Sequence, residues 1–308
     1  MEEIRIERLT KDRLKDVQKL ILVAFGRRVS LDSLISKYET TEMCGVSFVC
    51  NVAYVGDLAV GFSGVLPMLA EQNGKRFLIG QNCDYYTHPN FQKKGILGQL
   101  LVKNKALLEE LSISVHVVFH SEITHLVSEG KGWQDNSRMM RFHIDLKGLP
   151  WMKLLHKFSL LRGMKRVMVD RALKSVHVID AMNNPASSEN ALIVPFTKEF
   201  IAYKNRLGNR IVFIEGCQLW LRFTNILQVG AINGLNEENV ESVLVGLNKL
   251  AKKMGITETV IHEFEGTPTF HLLAKKLDPK PSFPVQVLSF NDQRMNYRPS
   301  LIELDAFL

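Results

Sequence analysis

Apolar positions fall into two rhythms along this chain. A short strand is predicted over residues 4–10. From residue 11 to 28, Leu14, Val17, Leu20, Ile21 and Ala24 recur at the three-to-four-residue spacing of one helix face. A second helix is predicted over 31–38. The period then drops toward two, and 46–55, 58–69 and 76–87 read as strands. Gly56-Asp57 and Asn73-Gly74 stand between them as two-residue hairpin turns. Residues 95–111 return to a helical period, with Leu97, Leu100, Leu101, Leu107, Leu108 and Leu111 as the predicted stripe. A buried strand at 115–119, a short helix at 121–129 and a strand at 137–146 follow.

The second half repeats the mixture. Strands are predicted at 176–181, 210–215, 218–223, 226–232, 259–263 and 285–290, and helices at 198–207, 236–254 and 267–276. Between the halves, 150–174 is basic and strongly apolar, and Pro150 suits the first turn of a helix. Trp151, Leu154, Leu155, Phe158 and Leu161 form its stripe, with Lys153, Lys157, Lys165 and Arg166 among them. It reads as a connecting helix packed between domains, with a helix lying on a membrane surface as the alternative. The expectation is an α/β chain of two units, 1–146 and 176–308, joined by 147–175.

Composition narrows the class. A hydrophobic content of 46% supports a packed core over 308 residues. No apolar run reaches the ~18 residues of a membrane span, and the first residues show no secretory pattern. Cys44, Cys50, Cys83 and Cys217 are scattered, as free thiols in a reducing cytoplasm would be. The net charge of +7 suits an anionic ligand, a nucleic acid or an anionic membrane alike. No nucleic-acid motif appears, and no nucleic-acid partner is expected. His116 and His120 lack a third ligand at metal spacing, so no metal is expected.

The chemistry concentrates at 84–98. A strand ends in Tyr85-Tyr86-Thr87, and Gln92-Lys93-Lys94-Gly95-Ile96-Leu97-Gly98 opens the next helix. Free N–H groups and partial positive charge at such a helix start suit a phosphate or pyrophosphate. Gly95 and Gly98 would let backbone approach an anion.

The run Thr87-His88-Pro89-Asn90-Phe91-Gln92-Lys93-Lys94-Gly95-Ile96 resembles the acetyl-CoA signature of the GNAT (GCN5-related) N-acetyltransferases. That family writes hydrophobic-x-Pro, a short spacer, then Gln/Arg-x-x-Gly-x-Gly/Ala. Leu97 stands at the last small position, with Gly98 one residue later. Gly132-Trp133 stands where the family has Gly-Phe or Gly-Trp, and the element order over about 3–146 is similar to the GNAT topology. The resemblance implies an α/β (α+β) fold with a mixed central sheet. Two of its strands, 76–87 and 115–119, would splay apart where acetyl-CoA enters. It also implies acetyl transfer to a primary amine of a small molecule, such as an amino sugar or envelope precursor, by direct attack on the thioester. Tyr85, Tyr86 and Thr87 would hold pantetheine and carbonyl, and Gln92, Lys93, Lys94, Gly95, Ile96, Leu97 and Gly98 the pyrophosphate. Lys93 and Lys94 could instead face solvent near the 3′-phosphate.

For the base, the resemblance implies Asp84, whose alternative is a structural carboxylate. His120 and Glu122 are second choices. The family's acidic tyrosine is replaced by Ser128, leaving Tyr85, Tyr86 or water, or an unaided thiolate. The second half resembles a degenerate GNAT-like domain in tandem. Its corresponding loop, Asn233-Gly234-Leu235-Asn236-Glu237-Glu238-Asn239, is acidic and is expected not to bind coenzyme A. Two other readings stay open: a Fem-like transferase using aminoacyl-tRNA, and a non-catalytic acyl-CoA-binding scaffold. Peripheral membrane contact through 150–174 and an oligomer are also open.

Overall fold

The computed structural model describes residues 3–119, 132–157, 162–185, 190–290 and 296–304. The helix expected at 121–129 lies outside them.

Helix α1 (Leu14–Phe25) buries Leu14, Val17, Leu20 and Ile21 of its predicted stripe, and α2 (Leu31–Tyr38) buries Leu34, Lys37 and Tyr38. Ser30 caps α2 by accepting the Ser33 N–H at 3.1 Å. A four-residue α3 (Thr41–Cys44) follows. Strand β1 (Ile4–Arg8) lies at the sheet edge beside β2 (Cys50–Val55). The turns joining β2, β3 (Leu58–Gln72) and β4 (Lys75–Thr87) are the predicted pairs. Gly56, Asn73 and Gly74 take the left-handed conformation these tight turns need.

Helix α4 (Ile96–Glu110) is fixed on the sheet at two levels. Ile96 and Leu100 cover Gly61 of β3, where an added Cβ would lie 2.6 Å from Ile96. Deeper along the helix, buried Asn104 donates to Ser63 Oγ at 2.6 Å and accepts from Asn51 at 2.7 Å. A satisfied buried network of this kind sets the helix register as well as its stability.

The chain continues through β5 (Val115–Phe119), β6 (Gln134–Asp145), α5 (Trp151–Lys157), α6 (Arg162–Leu173), β7 (His177–Ile179), α7 (Lys198–Arg206), β8 (Asn209–Ile214), β9 (Cys217–Phe223), β10 (Leu227–Asn233), α8 (Val240–Lys253), β11 (Glu258–Phe264), α9 (Pro268–Ala274) and β12 (Pro279–Ser289). All twelve strands form one sheet, in the order β1-β2-β3-β4-β5-β12-β6-β11-β10-β9-β8-β7. Read inward from either edge, the pattern is the same. Antiparallel neighbours lead to a parallel pair, β4 with β5 or β10 with β11, and then to one more antiparallel strand. That last strand is exchanged: β6 follows β5 in the chain but lies beside β11, and β12 follows β11 but lies beside β5. The two strands pair with each other at the centre.

A core cluster runs under both halves, from Leu66, Ile79 and Val117 through Val285 and Val287 to Trp220 and Ile302. A second fills the space around β9, β10 and α8 and takes Met152 of α5 and Leu173 of α6. The described helices of the connecting segment, α5 and α6, thus pack on the second half.

Candidate active site

Strands β4 and β5 pair in parallel only from Ile79 to Gln81 against Val115 to Val117. Beyond that point β4 keeps company with β3 as far as Thr87, while β5 continues to Phe119 along β12. The ladder between them ends, and the strands part. The register of β4 on β3 shifts between Gly64 and Val65, which face Asp84 and Asn82 and leave Cys83 as the extra residue of a bulge. A bulge bends its strand and re-aims the side chains after it. At the parting, the buried His116 ring of β5 is hydrogen-bonded through Nε2 to Asn82 Oδ1 and rests 5.3 Å from the Trp133 ring. Burial pushes His116 down to about 3, so it is neutral and its Nε2 is committed to Asn82.

After β4, a turn over Pro89–Phe91 leads to Lys93 and Gly95, both in the left-handed conformation. Gly95 is the N-cap of α4, makes no side-chain cap bond, and is followed by a first turn without acidic residues. The dipole and amide N–H groups of that turn therefore meet no capping carboxylate. A groove of about 450 Å³ opens here, between Phe25 at the end of α1, Tyr85 and Thr87 of β4, and Gln92, Gly95 and Leu97 of the loop. Gln92, Lys93, Lys94, Leu97 and Gly98 are exposed, whereas Ile96 is buried against β3. Lys94 sits over the Phe91 ring at 4.5 Å, which holds its ammonium beside the loop. A Cβ on Gly98 would meet nothing within 4 Å, so packing does not demand glycine there.

Asp84 and Tyr86 come together on the opposite side of β4. The Tyr86 hydroxyl donates to Asp84 Oδ1 at 2.5 Å, while Lys37 Nζ reaches Oδ2 at 2.5 Å and the Tyr38 hydroxyl also donates to Oδ2. Burial would raise the Asp84 carboxyl. The Lys37 ammonium and the hydrogen bonds from Lys37, Tyr38 and Tyr86 outweigh it and hold the group below its ordinary value. Burial and the neighbouring Asp84 charge raise both tyrosines. Asp84 is thus a held anion with three donors, and Tyr86 links it to the groove side, stacked on Phe62 at 5.4 Å with Phe25 edge-on at 5.3 Å.

Lys37 and Tyr38 were not among the expected site residues. The available signal was a lysine at the i+3 position from Leu34, on the buried stripe of an amphipathic helix. His120, Glu122 and Ser128 lie outside the described residues.

The second half has the same joint with a different finish. Strands β10 and β11 pair in parallel only from Leu227 to Val229 against Thr259 to Ile261. The 3-10 turn Leu301–Glu303 packs where they part. Ile302 lies so close to Gly230 that an added Cβ there would be 3.1 Å from its backbone nitrogen. Glu303 lines a cavity of about 320 Å³ with Glu263 and Phe264 of β11. At the start of α8, Asn236 Oδ1 accepts the Glu238 and Asn239 N–H groups at 2.9 and 3.0 Å. Glu237 and Glu241 crowd the same end, each 2.5 Å from a lysine, Lys275 and Lys276.

No family model and no curated protein matches the sequence. Solved structures do. A GCN5-related N-acetyltransferase from Kribbella flavida shares 11% identity at a TM-score of 0.57, over 92% of this chain and 70% of its own. The fold is that of the GNAT superfamily. A conserved protein of unknown function from Enterococcus faecalis V583 gives 12% and 0.59, over 94% of this chain and 73% of its own. A GCN5-related N-acetyltransferase from Anabaena variabilis gives 11% and 0.52, over 92% and 72%. The likeness covers both halves of the GNAT-fold sheet.

Proposed function

We propose that this protein is a GNAT-type N-acetyltransferase that moves an acetyl group from acetyl-CoA to a primary amine of a small molecule. One observation carries the reading: β4 and β5 part beside a helix start that has a left-handed glycine and no side-chain cap. Bound acetyl-CoA would supply an activated thioester. Gln92, Lys93, Lys94, Gly95, Ile96, Leu97 and Gly98 would surround its pyrophosphate, and Tyr85, Tyr86 and Thr87 its pantetheine arm. The groove and the uncapped helix start fit that group.

The acceptor amine must lose a proton to attack. Tyr86 would take it on its hydroxyl oxygen while passing its own proton to Asp84 Oδ1, the acceptor of its hydrogen bond. Lys37 and Tyr38 hold Asp84 in place and keep it a weak base, so the proton would rest there only in passing before leaving to water. His120 and Glu122 stay as the second choice of base. We assign acetyl-CoA to residues 1–146 alone, with 147–175 as connector and 176–308 as a unit that shapes the acceptor side. A cytoplasmic setting agrees with four free cysteines and with the absence, among the described residues, of a helix able to cross a membrane.

The test is thiol release from acetyl-CoA over a panel of small primary amines, amino sugars included. Turnover is expected, with Tyr86→Phe and Asp84→Asn lowering kcat and shifting its pH profile while KM for acetyl-CoA holds. Absence of turnover by folded protein on every amine would overturn the reading.

A further inference from the structure

The positive charge of this chain is not spread over it. Residues 147–175 hold eight of its 39 lysines and arginines and one of its 32 acidic residues, a net +7 equal to that of the whole chain. The remaining residues are neutral in sum. The same segment exposes large apolar side chains: Leu149 at 67%, Trp151 at 52%, Leu154 at 42%, Met164 at 54% and Val167 at 65%. These are not held out for want of a core, because Met152, Leu155, Ala172 and Leu173 on the inner side of α5 and α6 are already buried. Met164, Val167 and Arg171 share the outer face of α6 by their three- and four-residue spacing.

We propose that the outer face of α5 and α6 docks on an anionic phospholipid surface. Charge complementarity chooses the sign of the partner, and the exposed side chains choose its kind. Aliphatic groups gain nothing against a nucleic-acid backbone or a polyacidic chain, but they leave water on entering the acyl boundary of a bilayer. Lysine and arginine beside them extend to the phosphates while their stems cover apolar surface, and tryptophan suits the headgroup level. Neither helix is long enough to span, so the contact is in the plane of the surface. The proposal does not depend on the acyl chemistry of the cleft.

The test is co-sedimentation of the full chain with vesicles of phosphatidylcholine alone or mixed with phosphatidylglycerol. Double-stranded DNA and polyglutamate serve as polyanions without an apolar interior. Binding is expected only to the phosphatidylglycerol vesicles, and it should weaken with salt. Each neutralisation among Lys153→Gln, Arg166→Gln and Arg171→Gln should weaken it about five-fold. The variant carrying Leu154→Ser, Met164→Ser and Val167→Ser, with circular dichroism and melting unchanged, should bind at least about tenfold more weakly. The proposal is overturned if the protein ignores anionic vesicles, if the apolar variant binds as the wild type does, or if DNA or polyglutamate binds as tightly as the vesicles.

Discussion

At Gly95, α4 begins with a left-handed glycine, no capping side chain and two lysines in the loop before it. At Asn239, α8 begins behind the Asn236 carboxamide, which already accepts two of the local N–H groups, and beside Glu237 and Glu241. The two helices follow equivalent strands of one sheet with a mirrored order. Each strand parts from its parallel neighbour after three paired residues. The joint comes from backbone topology, and its use depends on a few side chains. One helix start offers donors to an anion; the other has spent two of its own on Asn236 and carries glutamates already paired with lysines. One parting borders an open groove, and the other is packed with the turn Leu301–Glu303.

The largest effect should come from the buried Lys37–Asp84 ion pair of the first half. Lys37→Met leaves the Asp84 carboxylate without its cation and should cost about 3–5 kcal/mol in chemical denaturation. The double variant Lys37→Met/Asp84→Asn should recover much of that loss, which a simple packing defect would not allow. Next comes Gly95→Glu. It adds a negative charge and a side chain at a left-handed position facing the groove, and should weaken acetyl-CoA binding roughly a hundredfold, about 3 kcal/mol. Leu235→Glu, in the loop before α8, should leave that affinity unchanged.

A paired substitution sharpens the contrast. Gly61→Val would press on Ile96 and Leu100, and Gly230→Val on the Ile302 backbone. Both should lower stability by about 1–3 kcal/mol, but only Gly61→Val should also weaken acetyl-CoA binding, because it displaces the start of α4.

The smallest effects separate the halves by pH. His116 is held near 3 against an ordinary 6.5, so the unfolded chain takes up a proton that the fold refuses, and stability falls as pH drops below 6.5. Asp84, held below its ordinary 3.8, adds a further loss as pH falls through that lower value. In the second half burial raises Glu263 to about 7 and Glu303 to about 8, so in the fold each keeps its proton only below those values. Their contribution is complete below the ordinary 4.5 and fades as pH rises through 7 and 8. Hydrogen exchange should therefore show β4 and β5 loosening toward acid and residues 297–304 loosening toward base. Glu303→Gln should remove most of the alkaline response.

Local features of the site were readable from the chain. The turns at Gly56-Asp57 and Asn73-Gly74, the period change at 46 and the glycine at the start of α4 are each set by neighbours in sequence. The acidic loop before α8 was readable in the same way. Nonlocal features were not. Lys37 meets Asp84 across 47 positions, with no spacing to announce it. The exchange of β6 and β12 follows from which edge each strand finds, and a strand pattern does not encode that. Strand β12 also begins at Pro279, six residues before its predicted start at 285. Pro281 and Pro284 disguised it, since proline cannot donate to a ladder, and the register with β6 shifts at both.

Of the two equivalent partings, only the one at β4 and β5 should take acetyl-CoA. Titration calorimetry of the wild-type chain with acetyl-CoA tests it through the stoichiometry. One molecule bound per chain is the predicted result. Two per chain, or none to the folded protein, would overturn that assignment.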